Sequence, residues 1–549
     1  MSKALKILLL VVWALTGVTA HAQNKVKNEL VLFADRDFCI SGDTLWVKVF
    51  VPEGVHQFGN IVHLQLESQS GNLISTGAIK RGNSHAEGFI AVPDSLQTGL
   101  YFVHAFLNAQ RNTDDLECIG RAVYVYNRFE ESIEQLPVLR DKSFLMTPAT
   151  NGKTVNISAD QSNYTTRDEV KGAINVPGDE FVFVVASARM IDPFSKANTG
   201  FLNFKMKDLT TTIPAFTEKD GVVVSGNISD KASGNPAKEL VLLSVAGNGA
   251  YLDYYYPDSS GVFHFFLPRA MGNANIILQP LTVGETLFDI NVTPVFMTGV
   301  QQLKFDTTFV NPVQAQTIEN SIKGTFFNKL FYGVSIRPDE SFEMPNPYGM
   351  PFYGWPDNHV VPDNFIDLPD FQEISRELLI GLQYRDRNDE VTFRILNYAQ
   401  DRFFTKEPLR LINGIPVFKN SFFQNLKSTE IEYIDLVKTE RVFGDLRFKG
   451  VLSVALKDKS NGWLAQQPNI FQLSVPCVQY TKHVDYKAKV EGLAQPDTRQ
   501  QFFNEMLEES GSWPFRFQLS DVKGELEIRV EAITKSGELY RTSKIIAVQ

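Results

Sequence analysis

Residues Pro408 to Lys457 read PLRLINGIPVFKNSFFQNLKSTEIEYIDLVKTERVFGDLRFKGVLSVALK, and the reading of the second half of the chain turns on them. Leu409, Leu411 and Ile412 precede Asn413-Gly414, and Ile415, Val417 and Phe418 follow it. Asn-Gly supplies the positive φ angles of a two-residue hairpin, so the pattern predicts two short strands joined by a tight turn. A second strand is expected over Ile431 to Val437, apolar at alternate positions (Ile431, Tyr433, Val437) with Asp435 interrupting. A third is expected over Gly450 to Leu456, where Val451, Ser453 and Ala455 alternate against Leu452, Val454 and Leu456. Gly444 and Gly450 bracket the turn between them.

The order of these segments resembles the plug domain of TonB-dependent outer-membrane receptors. The matching residues are Asn413-Gly414, Ile431-Glu432-Tyr433-Ile434-Asp435-Leu436-Val437, Phe443-Gly444 and Gly450-Val451-Leu452-Ser453-Val454, about fifty residues in all. The chain departs from the family pattern in having Asn for Asp before Gly414 and Phe for Tyr before Gly444. A receptor barrel of that class needs about twenty-two membrane strands of about ten residues each. About ninety residues follow Lys457, so the expectation is a plug without its own barrel.

The 549 residues suggest several domains. With 43% hydrophobic and 21% charged residues the chain has the means to bury sizeable cores. A net charge of −10 with no basic run argues against nucleic acid as a partner. Lys3 and Lys6 precede an apolar run from Ile7 to Val18, and Ala20-His21-Ala22 is a small-x-small cleavage site, so residues 1–22 read as a secretory signal peptide. That run is short for a bilayer span, no Cys marks the cleavage point, and no other stretch is apolar enough to cross. The mature protein is expected to be exported, periplasmic and associated with the outer membrane through protein contacts. Of the three cysteines, Cys39 and Cys118 share the N-terminal module and are read either as a disulfide or as buried thiols, with Cys477 left over.

The fold expected is mainly β: tandem sandwiches of macroglobulin or immunoglobulin type, then a small α+β plug-like domain and a C-terminal β-module. Residues 23–129 alternate clearly in Thr44 to Phe50 and in Tyr101 to Phe106. They resemble the macroglobulin-like domain through Asp35-Arg36-Asp37-Phe38, Ser41-Gly42-Asp43-Thr44, Val92-Pro93-Asp94 and Thr98-Gly99-Leu100-Tyr101. That resemblance implies a β-sandwich serving as spacer or contact surface. The thioester signature of protease-trapping macroglobulins, Cys-Gly-x-Gln, fits none of the three cysteines. Residues 130–218 are expected to form a second β-module. Residues 219–300 resemble the carboxypeptidase regulatory-like sandwich through Val224, Gly226, Ile228 and Asp230 and through Asp258, Gly261 and Phe263. Residues 301–336 change period: Val313, Ile318, Ile322, Phe326, Phe327 and Leu330 fall on one helical face, with Pro312 opening and Gly333 closing a linker helix. Residues 337–470 hold a Pro- and aromatic-rich loop and the plug-like segment, and residues 471–549 return to β.

Chemistry-bearing motifs are scarce. Seven histidines remain after processing and no two lie within five residues, which excludes His-x-x-x-His. Neither Gly-x-Ser-x-Gly nor Gly-x-x-x-x-Gly-Lys occurs. His359 with Asp357, Asp363 and Asp367 follows no metal-ligand spacing, and Glu373 with Glu377 reads as a solvated helix face. Tyr254-Tyr255-Tyr256 with Phe263, Phe265 and Phe266 reads as strand core, not a stacking platform. The ending Gly537 to Ile546 reads as a sandwich edge. The chain is therefore expected to be no enzyme and to carry neither cofactor nor metal. Candidate interaction residues are Tyr348, Phe352, Tyr353 and Trp355 in the loop, Asn413 and Gly414 in the turn, and Phe422 and Phe423 after it. The layout is similar to that of exported Bacteroidota proteins. The resemblance implies an envelope accessory docked on an outer-membrane β-barrel, a type IX secretion translocon or a TonB-dependent receptor, whose pore its plug-like domain closes or regulates. The alternative is a surface-exposed protein binding glycan or peptide through Tyr348 to Trp355.

Overall fold

The computed structural model describes residues 28–113, 116–130, 137–139, 155–177, 180–191, 200–206, 215–246, 250–281, 286–296, 307–332, 343–344, 350–387, 390–467, 469–480, 499–506 and 511–549. The signal-peptide segment and Tyr348 lie outside them. The chain forms two compact units, one of Met1–Asp208, Phe296–Pro338 and Thr481–Gln549, the other of Leu209–Val295 and Asp339–Tyr480.

The first unit contains two sandwiches. In the N-terminal one, a nine-stranded sheet runs from Leu73–Lys80 through Ile61–Ser68, Gly99–Leu107, Leu116–Tyr126, Leu30–Ala34 and Thr44–Phe50 to His85–Ala91, with Phe201–Met206 and Phe38–Ile40 also paired to Leu116–Tyr126. Leu45, Val47 and Val49 face its own core, while Trp46 and Phe50 face away, as the two-residue period requires. The outward face is buried too. Val31, Phe33, Trp46, Phe50, Phe89, Ile119 and Phe201 share a core with Phe183, Val185, Phe503, Ile533 and Leu539, and Phe33 meets Phe183 with ring centroids 5.5 Å apart. Burial on both sides explains why Leu30–Ala34 is apolar throughout instead of alternating.

Those last five residues belong to the second sandwich. Its larger sheet is ordered Asn163–Tyr164, Leu539–Val548, Gly524–Thr534, Phe181–Met190 and Gln500–Glu505. Its smaller sheet is ordered Asn156–Ala159, Glu169–Val176 and Gly511–Gln518. The expected modules at 130–218 and 471–549 are thus not separate bodies: strands of both share one core. Four short strands between 156 and 190 leave open edges whose backbone groups need partners, and the tail supplies them through registers such as Ala186↔Val530.

Between these sandwiches lies a buried ionic cluster. Asp37 is fully buried and accepts from Arg121 at 2.6 Å and from Arg189 at 2.9 Å. Arg121 also reaches Glu531 at 3.2 Å, and Arg529 pairs with Glu527 at 2.6 Å. Burial alone raises the Asp37 carboxyl, but Arg121, Arg189 and Arg529 overcome it and hold it well below the usual carboxylate range. Burial pushes Glu527 upward likewise, and Arg529, Arg189 and Arg541 bring it down to about 2. Asp37 thereby anchors one sandwich to the other, and the carbonyl oxygen of Asp35 adds to it by accepting from Arg189 at 3.2 Å. Cys39 and Cys118 are separate buried thiols, and burial raises both.

The helix spans Pro312–Tyr332. Asn311 and Gln314 cap its start reciprocally, Gln314 N donating to Asn311 Oδ1 at 3.0 Å and Asn311 N to Gln314 Oε1 at 2.8 Å. Ile318 enters the N-terminal core and Ile322 packs on it, whereas Val313 is exposed. The helix is thus a component of the first unit, not a free linker; the side chains of Phe326, Phe327 and Leu330 lie outside the description.

The second unit holds a seven-stranded sandwich and a mixed-sheet domain. The sandwich sheets are Val262–Pro268, Gly221–Asp230 and Phe288–Val292, facing Tyr251–Tyr255, Val241–Val245, Asn273–Pro280 and Phe471–Pro476. Its last strand, Phe471–Pro476, comes after the mixed-sheet domain in the chain, so the module expected over 471–549 gives its first strand to this sandwich. Gly226 is required where Asn291 O would stand 2.4 Å from a Cβ. Phe263 and Phe265 are core residues, as the strand pattern implied, while Tyr256 is exposed.

Candidate interaction surface

The mixed-sheet domain carries the segments with which the sequence analysis began. Its five-stranded sheet is ordered Asn358–Val360, Ile431–Val437, Val451–Leu456, Leu409–Ile412 and Ile415–Pro416. Leu409–Ile412 runs parallel to Val451–Leu456 and the other pairs are antiparallel. Two short helices, Phe371–Glu377 and Ser421–Gln424, and a three-stranded meander of Leu382–Arg387, Glu390–Asn397 and Arg402–Phe403 complete it. Asp370 caps the first helix by accepting from Glu373 N at 2.8 Å. The core gathers Phe371, Ile374, Phe393, Ile395, Phe423, Ile434, Leu452 and Val454.

Asn413 and Gly414 make the expected tight turn, with φ of 52° and 82°. Asn413 is buried and fully used: its Oδ1 accepts from Leu456 N at 2.7 Å, and its Nδ2 donates to Asp458 O at 3.2 Å and Asn461 Oδ1 at 2.8 Å. A Cβ on Gly414 would stand 2.5 Å from Ala250 Cβ. Both residues hold the sheet together and neither is presented to a partner. Phe423 is wholly buried against Phe371 and Phe393, and Phe422 packs edge-on to Trp463.

The loop residues divide differently. Tyr353 is buried, and its hydroxyl donates to Asp435 Oδ2 at 2.6 Å. Burial first, and this hydrogen bond second, hold the phenol well above its ordinary range. Asp435 is also buried and accepts from His359 Nδ1 at 2.6 Å on its other oxygen. Phe352 packs against Tyr353 and Phe443. Arg441 donates to Tyr353 O at 2.7 Å and to Trp355 O at 3.3 Å. Asp435 and Arg441 thus fasten the loop to the sheet and leave Trp355 outward, 66% exposed.

The Asp435 interruption noted in the strand pattern is therefore the anchor of the loop, a role that strand periodicity does not disclose. Asp357 accepts from Lys438 N at 2.6 Å and Asp363 from Lys457 at 2.8 Å, so these carboxylates disperse instead of converging on His359. Among the described residues no group of His, Cys, Asp and Glu gathers as a metal site. None of their helices is long and apolar enough to cross a membrane.

Several large apolar side chains of this domain are exposed, Trp355, Phe365, Ile366 (80%), Ile380 (71%), Tyr398 and Val442, as are Phe129, Phe309 and Val313 in the first unit. Tyr398 lies beside Lys438, whose ammonium donates to the Tyr398 hydroxyl at 2.6 Å. Trp355 and Val442 flank Arg441. Only Trp355 among them was singled out from sequence as an interaction residue, because residue type alone does not report exposure.

The fold defined by these elements is mainly β and multidomain, made of several sandwich sheets. No family model matches the chain, and no curated protein matches it. Similar solved structures include trypsin-activated alpha-2-macroglobulin from Escherichia coli, at 9% identity, covering 95% of this chain and 41% of that one with a TM-score of 0.22. Salmonella alpha-2-macroglobulin reacted with methylamine is another, at 9% identity, with 95% and 40% covered and a TM-score of 0.23. Dimeric latent PorU from Porphyromonas gingivalis matches 48% of this chain and 33% of its own at 9% identity, with a TM-score of 0.16. The chain spans about two fifths of the length of the macroglobulins it matches.

Proposed function

We propose that this protein is a non-enzymatic accessory of the cell envelope that docks on an outer-membrane β-barrel from the periplasm, its mixed-sheet domain closing or regulating the partner's pore. The observation that carries the reading is the exposure of Trp355, Ile366, Ile380 and Tyr398 on the one domain whose strands carry the plug-like motif. The signal-peptide pattern of residues 1–22 supports export, and the type IX secretion translocon and TonB-dependent receptors are the candidate barrels. The sandwiches serve in this reading as spacer and contact surface.

The alternative, glycan or peptide binding by the aromatic loop, is less well supported. Among the described aromatics of the segment Tyr348 to Trp355, Tyr353 is buried and Phe352 is packed on Phe443, so Trp355 is the one of the three that is exposed. Chemical crosslinking of intact envelopes followed by purification of the native protein tests the proposal. Recovery of one barrel protein is the expected result. Recovery of the protein alone, or its digestion by protease added to intact cells, would overturn it.

A further inference from the structure

The meander has two unlike faces. Leu382, Val391, Phe393 and Ile395 turn into the domain core, so by the two-residue period Gln383, Arg385, Arg387, Thr392, Arg394 and Leu396 lie on the other face. Arg385, Arg387 and Arg394 are all exposed. In the ladder Arg385 stands opposite Thr392, Arg394 opposite Gln383, and Arg387 opposite Glu390. Arginines nearby have polar partners within the domain: Arg376 meets Glu377, Arg410 meets Glu407, and Arg402 donates to Gln400. Among the described residues Arg385, Arg387 and Arg394 make no such ion pair. Phe403, 38% exposed and opposite Leu396, closes one end of the face with apolar surface.

We propose that this outer face docks an acidic polypeptide segment of a partner protein. On the outer face three guanidiniums stand against one carboxylate, Glu390, while Asp386 lies on the opposite face of the same strand, so the excess of positive charge belongs to this face and not to the hairpin as a whole, on a chain whose net charge is −10. An acidic segment is therefore repelled by the molecule as a whole and drawn to this face, which fixes the orientation of approach. Residues two apart on a strand lie about 7 Å from each other, so Arg385 and Arg387 match carboxylates at alternate positions of an extended segment, and guanidinium is the cation that grips carboxylate in bidentate fashion. A lipid surface is the poorer occupant: recognition of anionic headgroups uses clusters of about four to eight basic residues, and this face has three. The inference rests on reading the mixed-sheet domain as the partner-facing one.

A photocrosslinking amino acid placed at Thr392 in the full chain, activated in intact envelopes, tests it. The expected result is an adduct with a protein, mapping to a segment that contains Asp or Glu. Its yield should fall about tenfold when Arg385→Glu, Arg387→Glu and Arg394→Glu are combined, and about threefold with the milder pair Arg385→Gln and Arg394→Gln, the thermal transition being unchanged in both. No adduct, adducts with lipid or glycan only, a segment without acidic residues, or yields indifferent to both sets of substitutions would each overturn the proposal. An acidic segment on a partner other than a barrel would uphold this docking face and overturn the proposed function. Capture of a barrel from Trp355 but not from Thr392 would do the reverse.

Discussion

The two units place their charges in opposite ways. In the first, Asp37, Arg121, Arg189, Glu527, Arg529 and Glu531 are buried and mutually paired between two sandwiches. In the mixed-sheet domain of the second, Arg385, Arg387 and Arg394 are exposed, and so are Trp355, Ile366, Ile380 and Tyr398. Charges that neutralise each other inside a fold commit it to one arrangement, whereas outward charge and apolar surface leave interaction energy for something else. In the proposed function the first unit is the frame and the mixed-sheet domain the part that meets the partner.

The comparison breaks most visibly at Asp37. Asp37→Ala removes the carboxylate that Arg121, Arg189 and Arg529 share and leaves the buried cluster with one uncompensated positive charge, so a loss of about 3–5 kcal/mol in the first unit's unfolding transition is expected by denaturant titration. A change below about 1 kcal/mol would show that water already solvates the cluster. Acid acts next. Glu527 stays ionised in the folded protein down to about pH 2, while an ordinary glutamate protonates near 4.5. Between those values the unfolded chain binds more protons. The stability contributed by Glu527, present above pH 4.5, is therefore lost progressively as pH falls toward 2, by about 3 kcal/mol in total. Glu527→Gln should flatten that part of the pH profile, measured as the urea midpoint against pH.

Smaller effects sharpen the contrast from the other side. Asn413→Ala removes three hydrogen bonds and puts a β-carbon residue without a local partner at positive φ; about 1–3 kcal/mol should be lost from the second unit's transition alone. Trp355→Ala should move stability by about 0.5 kcal/mol or less, as for an exposed side chain, yet lower recovery of the crosslinked partner several-fold. If stability fell and recovery did not, Trp355 would be a packing residue.

What was legible in the sequence was local. Asn413-Gly414 announced its turn because the geometry lies in two residues, and alternation in Thr44 to Phe50 announced a strand because its period lies in seven. Pairing over long separations was not legible. Leu526, Ile528 and Val530 alternate with Glu527, Arg529 and Glu531, the pattern of a strand with one wet face, but that face is buried: Glu527 pairs with Arg529 and Arg541 nearby, while Arg529 and Glu531 also meet Asp37 and Arg121, hundreds of residues away. Nothing in the tail says that Phe181–Met190 is its neighbour. The candidate surface was partly legible for a related reason: Tyr353, Phe423 and Trp355 are alike as aromatics, and only the positions of Asp435 and Arg441 decide which is turned outward.

Photocrosslinking from position 355 in intact cells, with the captured protein identified by mass spectrometry, addresses the docking claim most directly. An outer-membrane β-barrel captured from the periplasmic side, with capture reduced by Ile380→Asp, is the expected outcome. Capture of soluble proteins or glycan alone, or no capture at all, would contradict it.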